Sequence, residues 1–113
     1  PNFLCVSASS WSATYGMANI AVYSAAGQAV NGLTEAVAIE FERYGIRAAS
    51  IAPGFINTAM VAGMKPEARE KLTSGIPLKR MGEPDEIAQT VEFILQNDYV
   101  SGRCFEIDGA LRL

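Results

Sequence analysis

The chain has 113 residues, half of them hydrophobic and 19% charged, which allows one domain with a modest core and excludes a disordered composition. A formal charge of −3, with nine Lys and Arg scattered among twelve Asp and Glu, argues against nucleic acid or an anionic membrane as partner, and no apolar run approaches the ~20 residues that span a bilayer. With no histidine and no Cys-x-x-Cys pair, zinc and haem have no evident ligand set.

The sequence enters an apolar run at once, with no initiator Met, cationic leader or signal-peptide pattern in Pro1-Asn2-Phe3-Leu4-Cys5-Val6, and this predicts a piece of a longer chain. Residues 3–6 read as a short buried strand leading into a loop of small hydroxyl residues, Ser7, Ser9, Ser10 and Ser12. Cys5 lies in this run and Cys104 in another, a placement that predicts buried thiols in a reducing, cytoplasmic compartment.

A long helix is predicted over residues 20–44. Its larger apolar side chains recur at Val22, Ala26, Val30, Leu33, Val37, Phe41 and Tyr44, a 3.6-residue stripe, and Gly45 supplies a stop. No charge occurs between Ile20 and Thr34, and Ala21, Ser24, Ala25, Gly27, Gln28 and Gly32 lie off the stripe. A helix of this kind is covered on several sides, which predicts a homodimer or homotetramer, or a further domain, against it. Tyr23 and Gly27 share one face at a spacing of four, and Tyr23 follows Ser10 by thirteen residues.

Residues 47–52 then read as a strand, stopped by Pro53-Gly54. A charged helix over residues 64–75 opens near Pro66, and a helix over residues 84–95 opens with Pro84, Asp85 and Glu86 and carries Ile87, Val91, Ile94 and Leu95 as its stripe. Residues 103–107 form a last strand, ended by Asp108-Gly109. This order of strand, helix, strand, two helices, strand predicts an α/β fold with a parallel sheet and helices on both faces. Ligands of such sheets collect at the carboxyl ends of the strands, where Ser10, Tyr23 and the Pro53 loop converge.

Four motifs in this order make the chain resemble the C-terminal half of a short-chain dehydrogenase/reductase, nearest in pattern to the 3-oxoacyl-carrier-protein reductase branch. They are Ser10 thirteen residues before Tyr23-Ser24-Ala25-Ala26, the loop Pro53-Gly54-Phe55-Ile56-Asn57-Thr58, the segment Arg80-Met81-Gly82-Glu83-Pro84-Asp85-Glu86-Ile87-Ala88, and Ser101-Gly102 through Glu106-Ile107-Asp108-Gly109. The resemblance implies a three-layer Rossmann-like fold of which residues 1–113 are the C-terminal part, with the dinucleotide-binding N-terminal half absent.

It also implies hydride transfer between NAD or NADP and a small carbonyl or alcohol substrate, including 3-oxoacyl thioesters. By position Tyr23 is the acid/base and Ser10 the donor that holds the carbonyl oxygen. Pro53, Gly54 and Ile56 border the nicotinamide together with Tyr23, Thr58 lies near its amide or the phosphates, and Phe55 adjoins the substrate. In the family a lysine four residues after the tyrosine draws the phenol, with its ordinary pKa near ~10, toward neutrality and binds the ribose.

Gly27 stands at that lysine position, and Ala110 stands where a second glycine is common. A helical glycine costs about 1 kcal/mol against alanine, so the sequence shows no structural benefit at Gly27. The Gly-rich phosphate-binding turn is not in this chain, which predicts half a cofactor site and no useful NAD(P)H affinity for the segment alone. Two readings therefore stand: an oxidoreductase subunit, or a catalytically impaired homologue serving as a binding or assembly module. Trp11, the cysteines and the methionines read as packing, with Met17, Met60 and Met64 as a candidate substrate lid.

Overall fold

Small side chains place one strand at the centre of the sheet. In the computed structural model, which describes residues 3–16 and 18–112, β1 (Phe3–Ala8), β2 (Ile46–Pro53) and β3 (Arg103–Ile107) pair in parallel in the order β1-β2-β3. Ala48 through Ala52 of β2 are all buried. The register sets Cys5 opposite Ala48 and Ser50 opposite Cys104. Alternation along β2 then divides its side chains between two layers. Ala49 and Ile51 pack with Ile94 on one face, and the Ser50 hydroxyl donates to Asn31 Oδ1 at 3.1 Å on the other.

The described residues form five α-helices: α1 (Trp11–Tyr15), α2 (Ala21–Glu40), α3 (Ala59–Ala62), α4 (Pro66–Ser74) and α5 (Pro84–Gln96). α2 covers the Ser50 face and α5 the Ile51 face, so the expected layers of helix, parallel sheet and helix are present. α4 starts with Pro66 in its first turn, as its sequence predicts. The predicted long helix stops at Glu40, and a 3-10 turn, Glu42–Tyr44, follows before Gly45 in the left-handed region at φ 70°. Both α1 and α3 are additions to the predicted order.

The face of α2 that meets the sheet differs from the apolar stripe. Its buried residues are Asn31 and Thr34, whereas Val22, Leu33 and Ile39 are 84, 61 and 80% exposed. β2 offers Ala48, Ser50 and Ala52 on this side, so the helix comes close only through small or compact side chains. The large apolar groups are left outside. Both cysteines lie on outer strands of the sheet, so against the expectation of buried thiols Cys5 is exposed and Cys104 only half-buried.

α5 is held at both ends. At its start Glu83 and Glu86 form a capping box, and Arg80 grips Glu86 through two hydrogen bonds of 2.6 and 2.8 Å. These bonds, followed by one from the Glu83 backbone amide, hold the Glu86 carboxyl down at about 2. At its end Arg47 reaches from β2 and donates to the carbonyl oxygens of Ile94, Val100 and Asn97 at 3.0, 3.0 and 3.3 Å, tying the open last turn of the helix to the loop that follows it. Among the described residues no helix is long and apolar enough to cross a membrane.

Candidate functional site

The carboxyl ends of β1 and β2 open onto one groove of about 370 Å³. Beyond β1 the chain turns at Ser10, whose extended backbone precedes α1 and whose carbonyl accepts from the Ala13 amide at 3.0 Å. The Ser10 hydroxyl lies 3.2 Å from that of Ser12, a residue only 2% exposed. Ser12 thus orients Ser10, a role the sequence does not reveal because four nearby serines look alike. Tyr23, in the first turn of α2, is 60% exposed at the rim, and among the described residues none hydrogen-bonds its hydroxyl.

The loop after β2 is fixed by close backbone contacts. The Gly54 amide donates to the Ile107 carbonyl at 2.9 Å, and a Cβ on Gly54 would fall 2.8 Å from the Cα of Asp108. Farther along, the Asn57 amide donates to Gly82 and the Gly82 amide to Phe55, at 2.8 and 2.9 Å. A Cβ on Gly82 would lie 2.8 Å from Ile56 Cδ1. The Pro-Gly loop and the Arg-x-Gly segment are therefore one laced unit that presents Phe55, Ile56 and Thr58 to the groove.

Ser10, Tyr23, Gly54, Phe55, Ile56 and Thr58 all line this groove, joined by Trp11, Ser12, Ile20, Met60 and Val61. Pro53 does not line it; as the last residue of β2, paired with Ile107, it supports the loop from behind. Of the candidate lid residues, Met60 lies on the rim, Met64 is outside the lining, and Met17 falls outside the described residues.

Gly27 has a packing role, which corrects the expectation that it has none. The Ser9 hydroxyl donates to its carbonyl oxygen at 2.9 Å, and a Cβ there would lie 2.6 Å from the Cβ of Ala13. Position 27 faces α1, and the glycine lets the two helices meet. No charged side chain lines the groove among the described residues, and Lys65, Lys71 and Lys79 lie elsewhere. The apolar walls of Ile20 and Ile56 with the Ser10, Tyr23 and Thr58 hydroxyls fit the ring and carboxamide of a nicotinamide. A cation for its ribose is not among them.

The family model described as enoyl-(acyl carrier protein) reductase matches residues 4–111. An acetoacetyl-CoA reductase from Synechocystis is 43% identical over 91 residues, covering 78% of this chain and 38% of that protein. The 3-hydroxyacyl-CoA dehydrogenase type-2 of Drosophila melanogaster is 40% identical over 109 residues, covering 96% of this chain and 43% of that protein. The crystal structure of 3-hydroxyacyl-CoA dehydrogenase type-2 from Mycobacterium avium gives a TM-score of 0.94 at 37% identity, over 98% of this chain and 43% of that one. The chain thus spans 38 to 43% of the length of these relatives. Motif order, sheet topology and these likenesses agree, and the chain belongs to the short-chain dehydrogenase/reductase family.

Proposed function

We propose that this chain is the catalytic and oligomerising part of an NAD(P)-dependent oxidoreductase acting on a carbonyl or alcohol, with 3-oxoacyl thioesters among its substrates. The observation that carries this reading is the single groove in which Ser10, Tyr23, Ile56 and Thr58 meet from three separate segments. The thioester class is supported by the acetoacetyl-CoA and 3-hydroxyacyl-CoA named for the relatives.

A nicotinamide cofactor, when bound, supplies or takes the hydride; Gly54, Ile56, Thr58 and Tyr23 would hold it, over a loop braced by Pro53. Ser10, aligned by Ser12, donates to the substrate carbonyl oxygen, and Tyr23 gives that oxygen its proton as negative charge develops there. Trp11, Phe55 and Ile56 keep water from the reacting carbon. In the intact protein, Tyr23→Phe and Ser10→Ala are each expected to lower carbonyl reduction by about a hundredfold or more. Both variants staying within threefold of the parent would remove the proposal.

One observation favours the rival reading of a catalytically impaired binding or assembly module: α1 closes on Gly27, and among the described residues no cation lines the groove beside Tyr23. Gly27→Lys combined with Ala13→Gly, which makes room for the new side chain, separates the two. A reductase activity that appears only in this double variant establishes the impaired reading, and a Tyr23-dependent activity in the parent excludes it. The outward Val22, Leu33 and Ile39 support self-association as a homodimer or homotetramer. A monomer at all concentrations in light scattering would contradict that part.

A further inference from the structure

The sole tryptophan of the chain is both core and groove wall. Trp11 is 4% exposed and belongs to the cluster of Ile76, Met81 and Leu111, yet it also lines the groove beside Ser10. Its ring meets Phe55 edge to face, with centroids 5.7 Å apart and planes at 66°. The wall next to the carbonyl-holding serine is thus aromatic, and its Trp11 half is anchored in the core. Met60, 88% exposed on the short α3, also lines the groove and forms a compliant rim. The polar side chains of the lining are uncharged hydroxyls.

We propose that Trp11 and Phe55 are specificity-determining residues that admit carbonyl compounds whose substituent beside the carbonyl is apolar and uncharged, and that reject a free carboxylate there. This rests on the reductase reading of the same groove. A carboxylate pressed against two aromatic rings loses its water and meets no cation among the described residues of the lining in exchange, whereas an ester or thioester loses little. The rings also supply contact area for the apolar substituent.

Ethyl acetoacetate and acetoacetate test this, since they present the same ketone with and without the charge. With intact protein and NADH or NADPH, kcat/KM for the ester is expected to exceed that for the acid by at least a hundredfold. Phe55→Leu is expected to raise KM for the ester with little change in kcat, as a binding wall requires. Met60→Lys, on the exposed rim, is expected to narrow the ester-to-acid ratio several-fold. Calorimetry of both compounds with the cofactor present separates the two claims. Ester bound in preference to acid but not reduced leaves the wall proposal standing and removes the reductase reading. Acid bound or reduced within threefold of the ester, or no binding of either, overturns the wall proposal.

Discussion

Replacing Gly27 with alanine tests how the helices that carry Ser10 and Tyr23 are held together. Helix propensity alone favours the change by about 1 kcal/mol. The new Cβ, however, would lie 2.6 Å from that of Ala13, well inside the ~3.5–4.0 Å at which carbon atoms attract. Overpacking of that kind costs about 1–3 kcal/mol, so the sum is a loss of about 0–2 kcal/mol. Ala13→Gly removes the obstructing methyl at its own cost of about 1–2 kcal/mol in burial and helix propensity. The two changes together relieve the overlap, and a double-mutant cycle should show a favourable coupling of about 1 kcal/mol or more. Urea unfolding of the four proteins, followed by circular dichroism, supplies the energies. Additivity within about 0.5 kcal/mol would refute the close approach of α1 to α2. The single Gly27→Ala change should also weaken catalysis, since Ser10 sits just before α1 and Tyr23 one turn before Gly27.

Ala110 has φ 67°, in the left-handed region, so Ala110→Gly should stabilise the protein by about 0.5–1 kcal/mol, read as a rise in Tm; a fall would contradict it. Arg47→Met leaves the carbonyls of Ile94, Asn97 and Val100 without their donor and should cost about 3 kcal/mol, with early hydrogen exchange at the end of α5 as the signature. Glu86 titrates at about 2 in the folded protein against 4.5 without its partners, so its contribution is complete above pH 4.5 and is lost as pH falls toward 2. Glu86→Gln should therefore be less stable than the parent at neutral pH and converge with it in acid; a constant difference at all pH values would contradict the Arg80 pairing.

What the sequence discloses follows from which contacts are local. Residues 103–107 are both the predicted and the observed last strand, and α5 begins at Pro84 as its first-turn residues require. The loop from Pro53 to Thr58 is legible because proline and glycine punctuate it. Hydrophobic period misleads for α2, since its contact with β2 is set by the size of Asn31 and Thr34, and its contact with α1 by Gly27, and both leave Val22 and Leu33 outside. α1 and α3 span five and four residues, too few for a period to register. The reason for Gly27 lies in Ala13, and the reason for Ser12 lies in Ser10, and both partnerships depend on how the turn after β1 folds back. Trp11 reads as core, which it is; its second role as a groove wall depends on Phe55, distant in sequence.

The central claim is that the groove between Ser10, Tyr23 and the Pro53 loop carries hydride transfer to a carbonyl. Intact protein supplied with nicotinamide cofactor deuterated on either face of C4, together with ethyl acetoacetate, tests it directly. Deuterium on the carbinol carbon of the product, transferred from one face only and falling about a hundredfold in Tyr23→Phe, is the predicted result. Folded, cofactor-binding protein that transfers no deuterium, or transfers it equally well without the Tyr23 hydroxyl, would contradict the account.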